Sequence, residues 1–121
     1  MKTSKNQSNV YIGIDTGKHS LDVHIRPLDI DLSVTNDEKG IKKLMAEFKK
    51  YNVISIVIEA TGRLEHEFII TCSKHNLPFS VINPAHTKKF AGAIGRLAKT
   101  DKLDAQLLAH YGEAIKPAIS S

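Results

Sequence analysis

The chain has 121 residues, 41% hydrophobic and 25% charged, with 17 Lys and Arg against 13 Asp and Glu for a net charge of +4. That is enough chain for one core and the composition of a globular domain, neither disordered nor fibrous. The absence of Trp and a 6% aromatic content argue against base stacking as the main mode of nucleic-acid contact, while a single cysteine excludes an internal disulfide and fits a reducing, cytoplasmic compartment.

No apolar run approaches the roughly 18–20 residues of a membrane span. The start Met1-Lys-Thr-Ser-Lys lacks a hydrophobic signal core. Residues 1–9 are polar and aperiodic, and are expected to form a disordered lead. Val10 to Asp15 is a short apolar run ending in a carboxylate and reads as a buried strand. Leu21, Val23 and Ile25 then alternate with Asp22, His24 and Arg26, and Ile30, Leu32 and Val34 alternate with Asp31, Ser33 and Thr35. These are two half-buried strands joined by a turn at Pro27, completing an antiparallel meander. Ile41, Leu44, Met45 and Phe48 mark an amphipathic helix entered near Asn36, with Lys42, Lys43, Lys49 and Lys50 on its solvated face.

Ile54 to Glu59 is a second apolar run ending in a carboxylate, followed at once by Ala60-Thr61-Gly62. A helix from Leu64 to Lys74 places Leu64, Phe68 and Cys72 on its apolar side, so the thiol reads as a small buried hydrophobe. Phe79 to Ile82 is a fifth strand, stopped by Asn83-Pro84. From Pro84 to Leu103 the chain is rich in Gly, Ala and Lys, and reads as a loop or weak helix that orders on binding. A last helix with Thr100 as N-cap continues through Leu103, Leu107, Leu108 and Tyr111, placing Asp101 and Asp104 on one helix face. The order βββαβαβα describes a mixed sheet, and right-handed crossovers set the first and fourth strands side by side. Asp15 then lies near Glu59, with the last helix docked across them.

A parallel strand buried on both faces has no use for a charge until its carboxyl end, where α/β sheets bind ligands. Asp15, Glu59, Asp101 and Asp104 therefore read as a divalent-metal site. Hard cations such as Mg²⁺ take oxygen ligands, and four carboxylates suit two ions about 3.5–4 Å apart, the arrangement of phosphoryl-transfer sites. The simpler account of Asp101 and Asp104 is that they complement a helix dipole, each contributing about 0.3–1 kcal/mol. Lys88, Lys89, Arg96, Lys99 and Lys102 crowd beside the acidic pair. A phosphodiester substrate needs such a stretch, because cations neutralise the flanking phosphates. The six histidines are scattered without zinc spacing, and His86 reads as a surface-loop residue.

Gly13-Ile14-Asp15, Glu59-Ala60-Thr61-Gly62, Val81-Ile82-Asn83-Pro84, Lys88-Lys89-Phe90-Ala91 and Lys99-Thr100-Asp101-Lys102-Leu103-Asp104-Ala105 resemble, in this order, the amino-terminal domain of the DEDD insertion-sequence transposases. The resemblance runs from about Tyr11 to Gly112. It implies an RNase H-like, RuvC-like α/β domain, a mixed five-stranded sheet with flanking helices, over residues 10–115. It further implies a catalytic tetrad of Asp15, Glu59, Asp101 and Asp104, with Mg²⁺ or Mn²⁺ as cofactor and DNA as partner. Full-length members resemble one another over a longer chain, homo-oligomeric, whose carboxyl-terminal domain supplies a serine nucleophile, and some are guided by a structured RNA. Residues 116–121 read as a tail where that serine domain is missing, and the fragment alone is expected to be inactive. Thr16-Gly17-Lys18 after Asp15, and Arg63 where an aromatic is frequent, depart from the family pattern.

Two other classes compete. Gly13-Ile14-Asp15-Thr16-Gly17 also resembles the first phosphate motif of actin-like ATPases, which need a second domain and leave Glu59, Asp101 and Asp104 without a role. A catalytically silent nucleic-acid-binding or oligomerisation module is the third reading.

Overall fold

The computed structural model describes residues 7–95 and 104–119. Five strands, β1 (Asn9–Thr16), β2 (Ser20–Arg26), β3 (Ile30–Thr35), β4 (Asn52–Glu59) and β5 (Phe79–Ile82), form one sheet in the order β3-β2-β1-β4-β5. The first three are antiparallel neighbours, whereas β4 pairs parallel with β1 and β5 parallel with β4. This is the mixed five-stranded sheet expected from the sequence, and β1 and β4 are adjacent as the crossover argument requires.

Period 2 along the strands sorts the sheet into two faces. Ile12, Ile14, Leu21, Val23, Ile25, Ile56 and Ile58 are almost wholly buried and form the main core with Ile41, Leu44 and Phe48 of α1 (Glu38–Phe48) and with Phe68 and Cys72 of α2 (His66–Lys74). Both helices belong to crossovers that travel the same way across the sheet, so both cover the same face. The opposite face is covered by α4 (Ala105–Ile115), which packs across β1, β2 and β4. There Val57, Ile82, Leu108 and Tyr111 form a smaller core. Helix α3 (Pro84–Ala93) is fastened to α4 by Phe90, whose ring stands edge-on to His110 and Tyr111 with centroids 5.1 and 5.5 Å away.

Several elements differ from their sequence-based outlines. Asn9 already pairs in β1, Ser8 O accepts from Asn52 N at 2.8 Å and Gln7 Nε2 donates to Lys49 O at 2.7 Å, so the end of the polar lead is tied to the sheet. Residues 1–6 of that lead lie outside the described residues. Helix α1 is capped by Asp37, whose side chain accepts from Gly40 N, one residue later than Asn36. Asn36 instead ties loops together by donating to Gly17 O and Leu64 O at 2.8 and 3.0 Å. Leu64 precedes α2 and is exposed, while Phe68 and Cys72 are buried as expected. Residues 84–93, read as loop or weak helix, form a defined helix because Asn83 accepts from Ala85 N and Pro84 sits in the first turn, where its missing N–H costs nothing.

Candidate functional site

Ile14 and Ile58 are paired in the parallel register, and the next residues on each strand are Asp15 and Glu59. Both side chains lie on the α4 face, because Gly13 and Val57, two residues earlier on the same strands, contact that helix. Apolar packing ends at this point and both carboxylates are only half-buried, at the carboxyl edge of the parallel strands. Burial raises the Glu59 pKa above its ordinary value, a hydrogen bond from Thr87 opposes this, the Asp15 charge adds to the rise, and Lys88 opposes it. The like-charge effect means that the two carboxyl groups sense one another.

Asp104 reaches the same region by a different route from the one expected. It is itself the N-cap of α4, in extended conformation at φ −98° and ψ 177°, and its Oδ1 accepts from Leu107 N at 2.9 Å. It therefore precedes the helix, at the N-cap position that the sequence suggests for Thr100. Asp101 and Thr100 lie outside the described residues, as do Arg96, Lys99 and Lys102. A cleft of about 420 Å³ brings Asp15 and Asp104 together with Asp22, Asp31, Ser33 and Gln106. Lys88 and Lys89 are exposed on α3, and the charge of Lys88 reaches Glu59.

Hard divalent cations take one or two carboxylates and complete their shell with water and substrate oxygens. Asp15 and Glu59 present carboxylate oxygens from neighbouring strand ends, an all-oxygen donor set of the kind that Mg²⁺ and Mn²⁺ take. Among the described residues no group of three or more His, Cys, Asp or Glu is gathered closely enough to cage an ion.

Some residues around the site escape a sequence reading. Thr87 is fully buried and its Oγ1 donates to Glu59 Oε2 at 3.1 Å. Glu65 is buried at the start of α2, accepts from the Thr61 hydroxyl and backbone N–H, and Thr61 in turn meets buried Thr16 at 3.3 Å. This clasp ties the turn after Glu59 to the end of β1 after Asp15. His24, placed by alternation on a polar face, is only 2% exposed because α4 covers that face. Its Nδ1 lies 2.7 Å from Asp31 Oδ1 and its Nε2 3.4 Å from Asp29 Oδ1. Asp22, opposite Asp15 in register, accepts from Ser33 Oγ at 2.8 Å. The alternation signal contained Asp22 and Asp31 on the correct face, but nothing in it named Asp15 as their neighbour across the ladder.

No helix among the described residues is long and apolar enough to cross a membrane. Comparison with known proteins adds a family to this geometry. The family model for IS110-type DEDD proteins, described as a transposase, matches residues 12–118. The pilin gene-inverting proteins of Moraxella bovis and Moraxella lacunata are each 30% identical to the chain over 118 residues, covering 93% of the chain and 37% of the relative. The chain thus spans little more than a third of the length of these curated relatives. Its five-stranded mixed sheet with flanking helices is the RNase H-like fold, and the chain belongs to the DEDD insertion-sequence transposase family.

Proposed function

We propose that this chain is the metal-dependent catalytic domain of a DNA transposase or site-specific recombinase, with Asp15, Glu59, Asp101 and Asp104 as ligands for Mg²⁺ or Mn²⁺. The observation that carries the reading is the adjacency of Asp15 and Glu59 at the carboxyl ends of paired parallel strands, with Asp104 in the same cleft as Asp15. When bound, the divalent ions polarise the scissile phosphate and stabilise the attacking and leaving oxygens. The chain's own residues hold and orient. Asp15 and Glu59 present oxygens from a rigid sheet edge, the Thr16–Thr61–Glu65 clasp keeps the two strand ends together, and Asp104 flanks Asp15 from the N-cap of α4. Lys88 and Lys89 neutralise phosphates flanking the scissile one, with Arg96, Lys99 and Lys102 extending that contact.

The similarity to pilin gene-inverting proteins supports DNA as the substrate. On this reading the full-length protein is a homo-oligomer whose nucleophile is a serine of a further domain, with a guide RNA in some members. The isolated domain then binds metal without recombining DNA. The test is a crystal soaked in Mn²⁺: an anomalous peak between Asp15 and Glu59 is expected, and a fully soaked crystal with no peak there overturns the metal-dependent reading. One competitor is a catalytically silent nucleic-acid-binding module. That module would bind DNA equally well with and without divalent ions.

A further inference from the structure

Thr87 is fully buried on the inner side of α3, and its hydroxyl has two acceptors, Glu59 Oε2 at 3.1 Å and Pro84 O at 3.0 Å. One proton cannot satisfy both fully. An ionised carboxylate is the stronger acceptor, and a charge-assisted bond is roughly twice as strong as a neutral one. The bond to Pro84 O alone is a common use of Thr within helices and has no functional content. A bond to Glu59 is different, because it joins α3 to the edge of β4 at the carboxylate itself. Helix α3 is otherwise well fixed: Asn83 caps it, Phe90 anchors it to α4, and Lys88, the residue after Thr87, is close enough for its charge to reach Glu59.

We infer that Thr87 is a positioning residue: its buried hydroxyl sets the orientation of the Glu59 carboxylate and holds the Lys88 and Lys89 helix in a fixed relation to the acidic site. Outer hydrogen bonds of this kind orient ligating carboxylates, and their loss typically lowers metal affinity about 10- to 100-fold. The inference rests on Glu59 being a ligand, so its test separates the two claims.

Thr87→Val keeps the shape and removes the hydroxyl, and Thr87→Ser keeps the hydroxyl. The side-chain carboxyl ¹³C resonance of Glu59, assigned through Glu59→Gln, is recorded in metal-free protein for each form. We expect it to move in Thr87→Val and to stay close to wild type in Thr87→Ser. Titration with Mn²⁺ should then show affinity about tenfold weaker or more in Thr87→Val, with Thr87→Ser restoring it. Should Thr87→Val not fold, the Thr87 hydroxyl proton in wild type and Glu59→Gln gives the same reading from the other partner, and it should shift when the carboxylate is replaced. An unmoved Glu59 resonance, an unmoved Thr87 proton, or a moved resonance with unchanged Mn²⁺ affinity overturns the positioning role. Wild-type protein that ignores Mn²⁺ while the resonance still moves overturns both the metal reading and the ligand-positioning inference that rests on it, leaving only a structural hydrogen bond.

Discussion

A Cβ placed on Gly13 would stand 2.1 Å from the carbonyl oxygen of Ala105 and 2.4 Å from Ala109 N, so β1 and the first turn of α4 meet backbone to backbone. No side chain fits between them. This contact lets α4 lie flat across the sheet and delivers Asp104 to the cleft that Asp15 lines. Gly13→Ala should therefore destabilise the fold by roughly 1–3 kcal/mol, toward the upper end because backbone cannot step aside as a side chain can. Gly112→Ala, whose new Cβ would meet only side chains, Val57 Cγ2 at 2.9 Å and Ser55 Oγ at 3.5 Å, should be milder. Urea unfolding midpoints of the two variants give the comparison, and equal midpoints would refute the close-approach argument.

Divalent ions should raise the melting temperature of the wild-type domain. A ligand bound only by the folded state stabilises it by about 2.7 kcal/mol at a hundred times its Kd. Asp15→Asn with Glu59→Gln should abolish the Mn²⁺-dependent rise. A melting curve that is the same with and without saturating Mn²⁺ would count against the site.

Glu59 sets a pH dependence whose sign follows from its raised pKa. A carboxyl group that holds its proton more tightly when folded favours the folded state at low pH. That contribution is fully present below the ordinary value of 4.5 and is lost as pH rises through the higher folded value. At neutral pH the metal-free protein therefore carries an ionised Glu59 as a net burden, and Glu59→Gln should be stabilising there. The advantage of the Gln variant should shrink as pH falls toward 4.5. It should reverse at neutral pH when Mn²⁺ is added. Chemical denaturation of both forms across this range checks the sign.

Lys88 and Lys89 are exposed on a folded helix, so replacing both by Ala should leave stability nearly unchanged. Binding to duplex DNA should weaken, and the slope of log affinity against log salt should fall by roughly 0.9 for each phosphate that a lysine no longer neutralises. Fluorescence anisotropy at several salt concentrations measures both. Unchanged affinity and slope would reduce these lysines to a solvated surface.

Cys72 is fully buried, and burial pushes its thiol up to about 12. The thiolate is the reactive form, so native protein should resist an alkylating reagent that modifies Cys72 rapidly once the chain is unfolded in urea. Prompt labelling of native protein, with no rise on adding denaturant, would show that α2 does not pack as described.

The pattern of residues alone determined the strands, the adjacency of the first and fourth, and the two carboxylates at their ends. Val10 to Asp15 and Ile54 to Glu59 are each an apolar run closed by an acid, and chain connectivity with right-handed crossovers leaves little choice but to pair them. Period 2 likewise assigned Asp22, His24 and Asp31 to one face. What covers a face is a long-range matter, and periodicity is blind to it. His24 is buried because α4 lies over it, and Thr87 faces Glu59 because Phe90 docks α3 on α4. Asp104 is itself extended and caps the helix, at a position that an N-cap at Thr100 would have made helical. Local sequence records which side chains can be buried or charged, whereas the partner each one meets is decided by packing between segments far apart in the chain.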